Sequence, residues 1–163
     1  METIHSFDPI INPQSKILIL GTMPGKESLK KKQYYGNARN QFWKIIYTLF
    51  EVDLVFDYEQ RKKFLLDRKI ALWDVIDNCT RKGSLDSDIK YDKVNDFTPI
   101  FSKYTNLGKV FFNGIKAQDI YERKVGIYIP GIAHETLPST SPAYTISLNR
   151  KIESWQKILE LLL

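Results

Sequence analysis

Four short aliphatic runs, each broken by a turn residue and separated from the next by stretches of helical spacing, decide what this chain can fold into. "KILILG" (Lys16 to Gly21), "IALWDVI" (Ile70 to Ile76), "KVFFN" (Lys109 to Asn113, stopped by Gly114) and "GIYIP" (Gly126 to Pro130) read as strands. Between them, Gln41–Phe50 places Phe42, Trp43, Ile45, Ile46, Leu49 and Phe50 at helical intervals, with Asn40 just ahead as a capping type. Tyr58–Arg68, Asn95–Tyr104 and Lys116–Lys124 are further helical segments, Pro99 fitting only close to a helix start. Ser147–Leu163 gathers Ile152, Trp155, Ile158, Leu159 and Leu162 on one face. Lys26–Asn40, "DNCTRKGSLDSDI" and "HETLPSTSPAY" (His134 to Tyr144) read as loops. Short aliphatic strands alternating with helices predict an α/β fold with a parallel sheet covered on both faces. In such folds ligands bind beyond the carboxyl ends of the strands.

The loop after the first strand, "GTMPGKESL", resembles a phosphate loop and fails as one. Only Thr22, Met23 and Pro24 separate Gly21 from Gly25, where four residues are required, and Glu27 stands where a Mg²⁺-binding hydroxyl belongs. Pro24 also removes a backbone N–H from the cradle. A nucleoside triphosphatase is excluded on these grounds. The single cysteine, Cys79, rules out an internal disulfide and a four-thiolate iron–sulfur cluster, and fits a reduced cytoplasmic setting. Cys79, His5 and His134 lack the spacing of a zinc site. No apolar run approaches the roughly 20 residues of a membrane span, and the first residues lack the pattern of a signal peptide. With 163 residues the chain is read as a single domain, 1–163, and its net charge of +5 favours a polyanionic partner.

The strand-end loops carry amides and hydroxyls (Thr22, Asn37, Asn40, Asn113, Ser139, Thr140, Ser141) beside the aromatic faces of Tyr34, Tyr35 and Phe42. They hold no paired carboxylates and no serine–histidine–aspartate set with a recognisable context. Flat rings for stacking, with amides to bond along an edge, suit a pocket for a heterocyclic base.

On these residues the chain resembles the uracil-DNA glycosylase superfamily, and within it the hypoxanthine-DNA (deoxyinosine) glycosylases. The carriers are "GTMPGKESLKKKQYYGNARNQFW", "LWDVIDNCTRKGSLDSDI", "FFNG" and "LPSTSPA", in family order and across nearly the whole chain. The resemblance implies a three-layer αβα sandwich around a short, mainly parallel sheet. It also implies an enzyme that hydrolyses the N-glycosidic bond of deaminated bases in DNA, hypoxanthine first, with no metal or cofactor, no membrane association and a monomeric state. The first motif carries Met23 where a catalytic Asp or Asn often stands in the superfamily; the hypoxanthine branch also has an apolar residue there. The catalytic residue implied is Asn40, its amide oxygen positioning water towards C1′.

By the same resemblance Tyr35 stacks on the flipped base, Asn113 reads its edge, and Gly21, Thr22 and Met23 form the pocket floor. Pro138, Ser139, Thr140 and Ser141 meet the DNA, with Lys31 and Arg39 on phosphates and Arg81 a similar candidate. Each has a plainer reading: a helix cap for Asn40, a half-buried loop tyrosine for Tyr35, a turn residue for Asn113, a solvated run for Lys30 to Lys32. Leu137 replaces the histidine that opens the second motif in several branches, and His134 is no obvious substitute. Two rivals stay open on the sequence. One is a glycosylase of the same fold acting on uracil; the other is a non-catalytic protein that holds DNA or a free base.

Overall fold

The computed structural model describes residues 2–163. Its chain order is β1 (Ile4–His5), β2 (Ile17–Gly21), α1 (Lys26–Lys31), α2 (Phe42–Leu49), α3 (Tyr58–Asp67), β3 (Ile70–Asp74) and β4 (Ile76–Thr80), then β5 (Lys90–Val94), α4 (Thr98–Lys103), β6 (Lys109–Asn113), α5 (Ile115–Ile120), β7 (Ala133–Leu137) and α6 (Leu148–Trp155). The main sheet has the order β3-β2-β6-β7, and every pairing in it is parallel.

Alternation along the strands builds both cores at once. Ile17 and Ile19 face one side with Ile70, Leu72 and Phe111, covered by Phe42, Trp43, Ile45 and Ile46 of α2, Phe64 and Leu65 of α3, and Trp155 of α6. Leu18 and Leu20 face the other with Ala71, Trp73, Val110 and Phe112, covered by Ile100 and Phe101 of α4 and Ala117 and Ile120 of α5. The result is the expected three-layer αβα sandwich. A three-stranded antiparallel sheet, β1-β4-β5, lies beside it.

The structure corrects four sequence expectations. "GIYIP" is not a strand; the fourth strand is Ala133–Leu137. Pro130 cannot donate to a ladder. The true strand is half-exposed at the sheet edge and polar enough ("AHETL") to lack an aliphatic signature. "IALWDVI" is two strands: the chain leaves the parallel sheet at Asp74, and Ile76 begins β4, so "DNCTRKGSLDSDI" holds the rest of β4 and a 3-10 turn at Asp86–Asp88 and leads into β5, rather than being a plain loop. Lys26–Asn40 begins with the helix α1, hidden because "KESLKK" has no apolar face. The last helix is α-helical only to Trp155 and tightens to a 3-10 turn over Gln156–Leu161, keeping Ile158 buried.

Parallel register brings the strand ends to one level: Gly21 lies opposite Asp74, Leu20 opposite Phe112, and Asn113 opposite Leu137. The residues that terminate the strands therefore stand in a row along one rim of the sheet.

Candidate active site

Above that rim lies a cavity of about 900 Å³, large enough for a purine nucleotide. Gly21 to Ser28, Tyr34, Tyr35, Asn37, Asn40, Asp74, Asn113, Ile115 and Pro138 to Tyr144 are among its lining residues. All three segments singled out in the sequence thus meet at one place, and so does the middle segment, through Asp74 and Asp86.

A continuous chain of hydrogen bonds runs across the wall. The Thr140 hydroxyl donates to Asn40 Oδ1 at 2.8 Å and accepts from Asn113 Nδ2 at 3.0 Å. Asn113 Nδ2 also donates to the Tyr35 hydroxyl at 2.9 Å, and Asn113 Oδ1 accepts from the Thr140 backbone N–H at 3.0 Å. Thr140 is fully buried. Its carbonyl accepts the Gln41 N–H at 3.0 Å, which ties the loop to the start of α2. Asn40 Oδ1 accepts the Phe42 N–H at 3.0 Å as well.

These bonds reassign several of the expected roles. Both acceptor sites of the Asn40 oxygen are occupied, one by the N–H of Phe42, the first residue of α2, and one by Thr140; the N-cap itself is Gln41, one residue later than the sequence suggested. The oxygen expected to hold water is committed, and the amide nitrogen is the part left for a ligand. Both N–H groups of Asn113 are engaged within the wall as well, to the Tyr35 and Thr140 hydroxyls. Thr140 has no hydroxyl proton left for a phosphate. Ser139 Oγ and Ser141 Oγ accept from the N–H groups of Ser141 and Ala143, and each keeps its own hydroxyl proton. Pro138 is anchored through its carbonyl by Trp155 Nε1 at 2.8 Å.

Tyr35 sits where stacking was expected. One face of its ring lies on Phe42, centroids 4.1 Å apart and planes 21° from parallel, and it lines the cavity. Its φ of 53° lies in the left-handed region, uncommon for a tyrosine. Neighbouring bonds hold it there: Ser28 Oγ accepts the Gly36 N–H at 2.9 Å, Trp43 Nε1 donates to the Tyr34 carbonyl at 2.9 Å, and the Tyr34 hydroxyl donates to the Asp8 carbonyl at 2.8 Å. Burial and the nearby Asp74 charge push the Tyr35 phenol far above its ordinary value.

Gly21 and Gly114 are glycines for reasons of space and backbone. A Cβ on Gly21 would meet Asp74 Oδ1 at 2.5 Å and the Tyr35 hydroxyl at 2.9 Å. Gly114 has φ +96°, and a Cβ there would meet Ser139 Cβ at 3.1 Å. Thr22 and Met23 are buried floor, Met23 within the second core.

Among the basic candidates, Lys31 spans the turn at 33–36, its Nζ donating to the Gly36 carbonyl at 2.8 Å. Arg39 is exposed. Arg81 is buried and no surface contact: it donates to the Pro24 and Gly83 carbonyls at 2.5 and 2.6 Å, binding the first loop to the middle segment. A cation the sequence did not suggest lies behind the proline loop. Lys151 is 1% exposed and donates to Gln41 Oε1 at 2.9 Å and the Ser141 carbonyl at 3.2 Å. Burial lowers its pKa from the ordinary lysine value.

Asp74 was missed because "IALWDVI" was read as one strand running through it, and Asp86 because "DNCTRKGSLDSDI" was read as a plain loop. A charged residue inside an aliphatic run was the available signal. No group of three or more histidine, cysteine or acidic residues suited to a metal is found among the described residues, and no helix there is long and apolar enough to cross a membrane.

The comparisons with known proteins agree with this geometry. The family model described as the uracil DNA glycosylase superfamily matches residues 9–162. A protein of Methanosarcina acetivorans named hypoxanthine DNA glycosylase is 37% identical over 94% of this chain and 96% of its own length. A protein of the same name from Methanosarcina barkeri is 36% identical over 93% and 94%. The solution NMR structure of a candidate uracil DNA glycosylase from Methanosarcina acetivorans superposes with a TM-score of 0.84 at 31% identity, covering 99% of both chains. With nearly every residue inside the matched region and the site built from all four of its segments, this chain belongs to the uracil DNA glycosylase superfamily.

Proposed function

We propose that this protein is a monofunctional DNA glycosylase that releases deaminated bases, hypoxanthine foremost, from DNA. The observation that carries the reading is the bonded wall from Asn40 to Tyr35 around a nucleotide-sized cavity at the strand ends, in a chain whose relatives bear that activity in their names.

The base leaves the helix and enters between Tyr35 and the Gly21–Met23 floor, stacking on the exposed side of the Tyr35 ring. Ser139, Ser141 and Arg39 face the phosphates at the mouth, and Pro138 and Pro142 keep that loop stiff. The C1′–N bond breaks with its electron pair leaving on the base. Water then bonds to C1′, and its released proton ends on the base nitrogen, so that nucleotide and water become an abasic sugar and a free base. Asn40 acts by positioning: its amide nitrogen, held towards the cavity by two bonds to its oxygen, orients the sugar and attacking water without removing a proton. The reading involves no Schiff base: Lys26, the lysine among the lining residues, is exposed at the start of α1 and has no part in the chain of hydrogen-bonded amides.

The test is release of base from labelled duplex DNA with one deoxyinosine or one deoxyuridine, followed by alkali. Strand breaks at deoxyinosine are expected; breaks only at deoxyuridine would move the substrate, and tight binding without breaks would leave a non-catalytic protein. Asn40→Ala is expected to lower the single-turnover rate by about a hundredfold, the size of a lost positioning contact. Gly21→Ala should cost at least about tenfold in the same assay, because the new methyl displaces Asp74 or the Tyr35 hydroxyl; unchanged rates would remove the floor from the site.

A further inference from the structure

One polar group beside the cavity has no partner. Asp74 ends β3 next to Gly21, and its side chain is 4% exposed. Its Oδ2 is enclosed without a hydrogen bond, while Oδ1 overhangs Gly21. The groups that face it are Tyr34 and Tyr35 from the segment after α1, Tyr58 from α3, Arg81 beyond β4, and Asp86 from the 3-10 turn. Arg81 has its Nε and Nη2 on carbonyls and makes no ion pair with Asp74 among the described residues. Asp86 is drawn to Thr22, with Lys116 nearby, and adds a like charge. Burial first, and Asp86 second, push the Asp74 carboxyl up to about 7 against the opposing pull of Arg81.

Position fixes what such a group can touch. The bonded wall starts at Asn40 and Thr140, beside the hydroxyl loop, and passes Asn113 to the Tyr35 hydroxyl; Asp74 lies beyond it, next to Gly21. Phosphates are repelled by the end holding Asp74 and Asp86 and accommodated by the end holding Ser139, Ser141 and exposed Arg39. A base entering with its sugar at the hydroxyl loop therefore presents its far edge to Asp74. In hypoxanthine and in uracil that edge is a lactam, a ring N–H beside a carbonyl.

We propose that Asp74 is a catalytic residue of this glycosylase, accepting a hydrogen bond from the ring N–H of the flipped base and donating one to its carbonyl oxygen as the base departs. The inference rests on the glycosylase reading. A neutral carboxyl group carries an acceptor and a donor side by side, the complement of a lactam. When the C1′–N bond breaks, the electron pair spreads from the ring nitrogen onto that carbonyl oxygen, and an O–H aimed at it stabilises the developing charge. The proton stays on Asp74 throughout. An ionised carboxylate would oppose the same charge. Neither histidine is among the cavity's lining residues: His134 stacks on Phe112 at the start of β7.

The test is the pH profile of single-turnover base release from deoxyinosine DNA. The parent is expected to slow as pH rises through about 7, the value to which the carboxyl is pushed, by about tenfold per pH unit beyond it. Asp74→Asn keeps the donor and acceptor but does not titrate, so its profile is flat from pH 6 to 9, with a rate at pH 6 within about tenfold of the parent. Asp86→Asn keeps the decline and moves its midpoint down by removing the like charge. Asp74→Ala loses at least about a hundredfold at every pH, with a thermal melt confirming that it is folded. An Asp74→Asn profile that still declines with the parental midpoint, or an Asp74→Ala variant as fast as the parent, overturns the assignment while leaving the enzyme a glycosylase. Failure of the parent to release either base overturns the glycosylase reading itself, and this inference with it.

Discussion

Thr140→Val removes more than a hundredfold of the base-release rate and destabilises the protein by about 2–4 kcal/mol. The substitution keeps the shape of the side chain and deletes one oxygen. Among the described residues that oxygen is the only link between the Asn40 and Asn113 side chains, as donor to the first at 2.8 Å and acceptor from the second at 3.0 Å. Thr140 is fully buried, so water does not replace the lost bonds without opening the loop. Each stranded group costs about 1–3 kcal/mol. Asn40 keeps its bond to the Phe42 N–H and Asn113 its bond to the Thr140 N–H, so the start of α2 and the loop stay tied while the amides lose their fixed orientation. Thr140→Ser restores the hydroxyl and is expected within about 1 kcal/mol of the parent. Urea denaturation gives the stability and single-turnover assays the rate; parental values for the valine variant would show that the wall does not orient the site.

The second large effect concerns stability against pH. Asp74 holds its proton in the folded state up to about 7, whereas in the unfolded chain it ionises near 3.8. Between those values the folded state binds a proton that the unfolded state has lost. Its contribution to stability is therefore complete below about 4 and is lost as pH rises through 7. At 1.36 kcal/mol per pH unit the loss is of the order of 4 kcal/mol. Asp74→Asn removes it: the variant matches the parent near pH 4 and exceeds it by up to about 4 kcal/mol at pH 8. Asp86, also pushed up, acts in the same direction, and Glu135, held below the usual carboxylate range by Lys109 and Lys157, acts in the opposite one. Glu135 cancels in the difference between variant and parent, whereas Asp86, whose charge acts on Asp74, cancels only in part. Equal stability of the two proteins at pH 8 would mean that the Asp74 carboxyl is hydrated or paired in solution. A stabilising substitution at a conspicuous site is the usual sign that a residue is kept for function.

Much of this was legible before the fold was known, for identifiable reasons. Aliphatic strands buried on both faces announce themselves, so β2 and β6 were read within a residue. The edge strand β7 and the charged helix α1 carry no such signature, because solvent on one side frees their composition. Asn40, Tyr35, Asn113 and Thr140 were named from motif and chemistry, and the structure brings them together. What the sequence could not reveal was valence: which amide oxygen is already occupied, and which hydroxyl proton is spent. Those depend on contacts between Thr140 and residues 27 and 100 positions away. Asp74 escaped for a related reason, since only the bend at Val75 makes it a strand end.

The row Asp74, Gly21, Asn113, Leu137 across the ends of β3, β2, β6 and β7 has one more implication. In β2 and β3 the four residues before the last all lie in the two cores and the last lines the cavity, so hydrophobic interior and polar rim share a single reading frame there. Insertion of one residue into any of these strands would exchange their faces and ruin both together. Substitution at Asp74 or Asn113 touches neither core, whereas Leu137 belongs to the first core as well as to the rim. Such a sheet is brittle towards changes in strand length, and its polar terminal positions, Asp74 and Asn113, are where a change of side chain reaches the cavity without reaching either core.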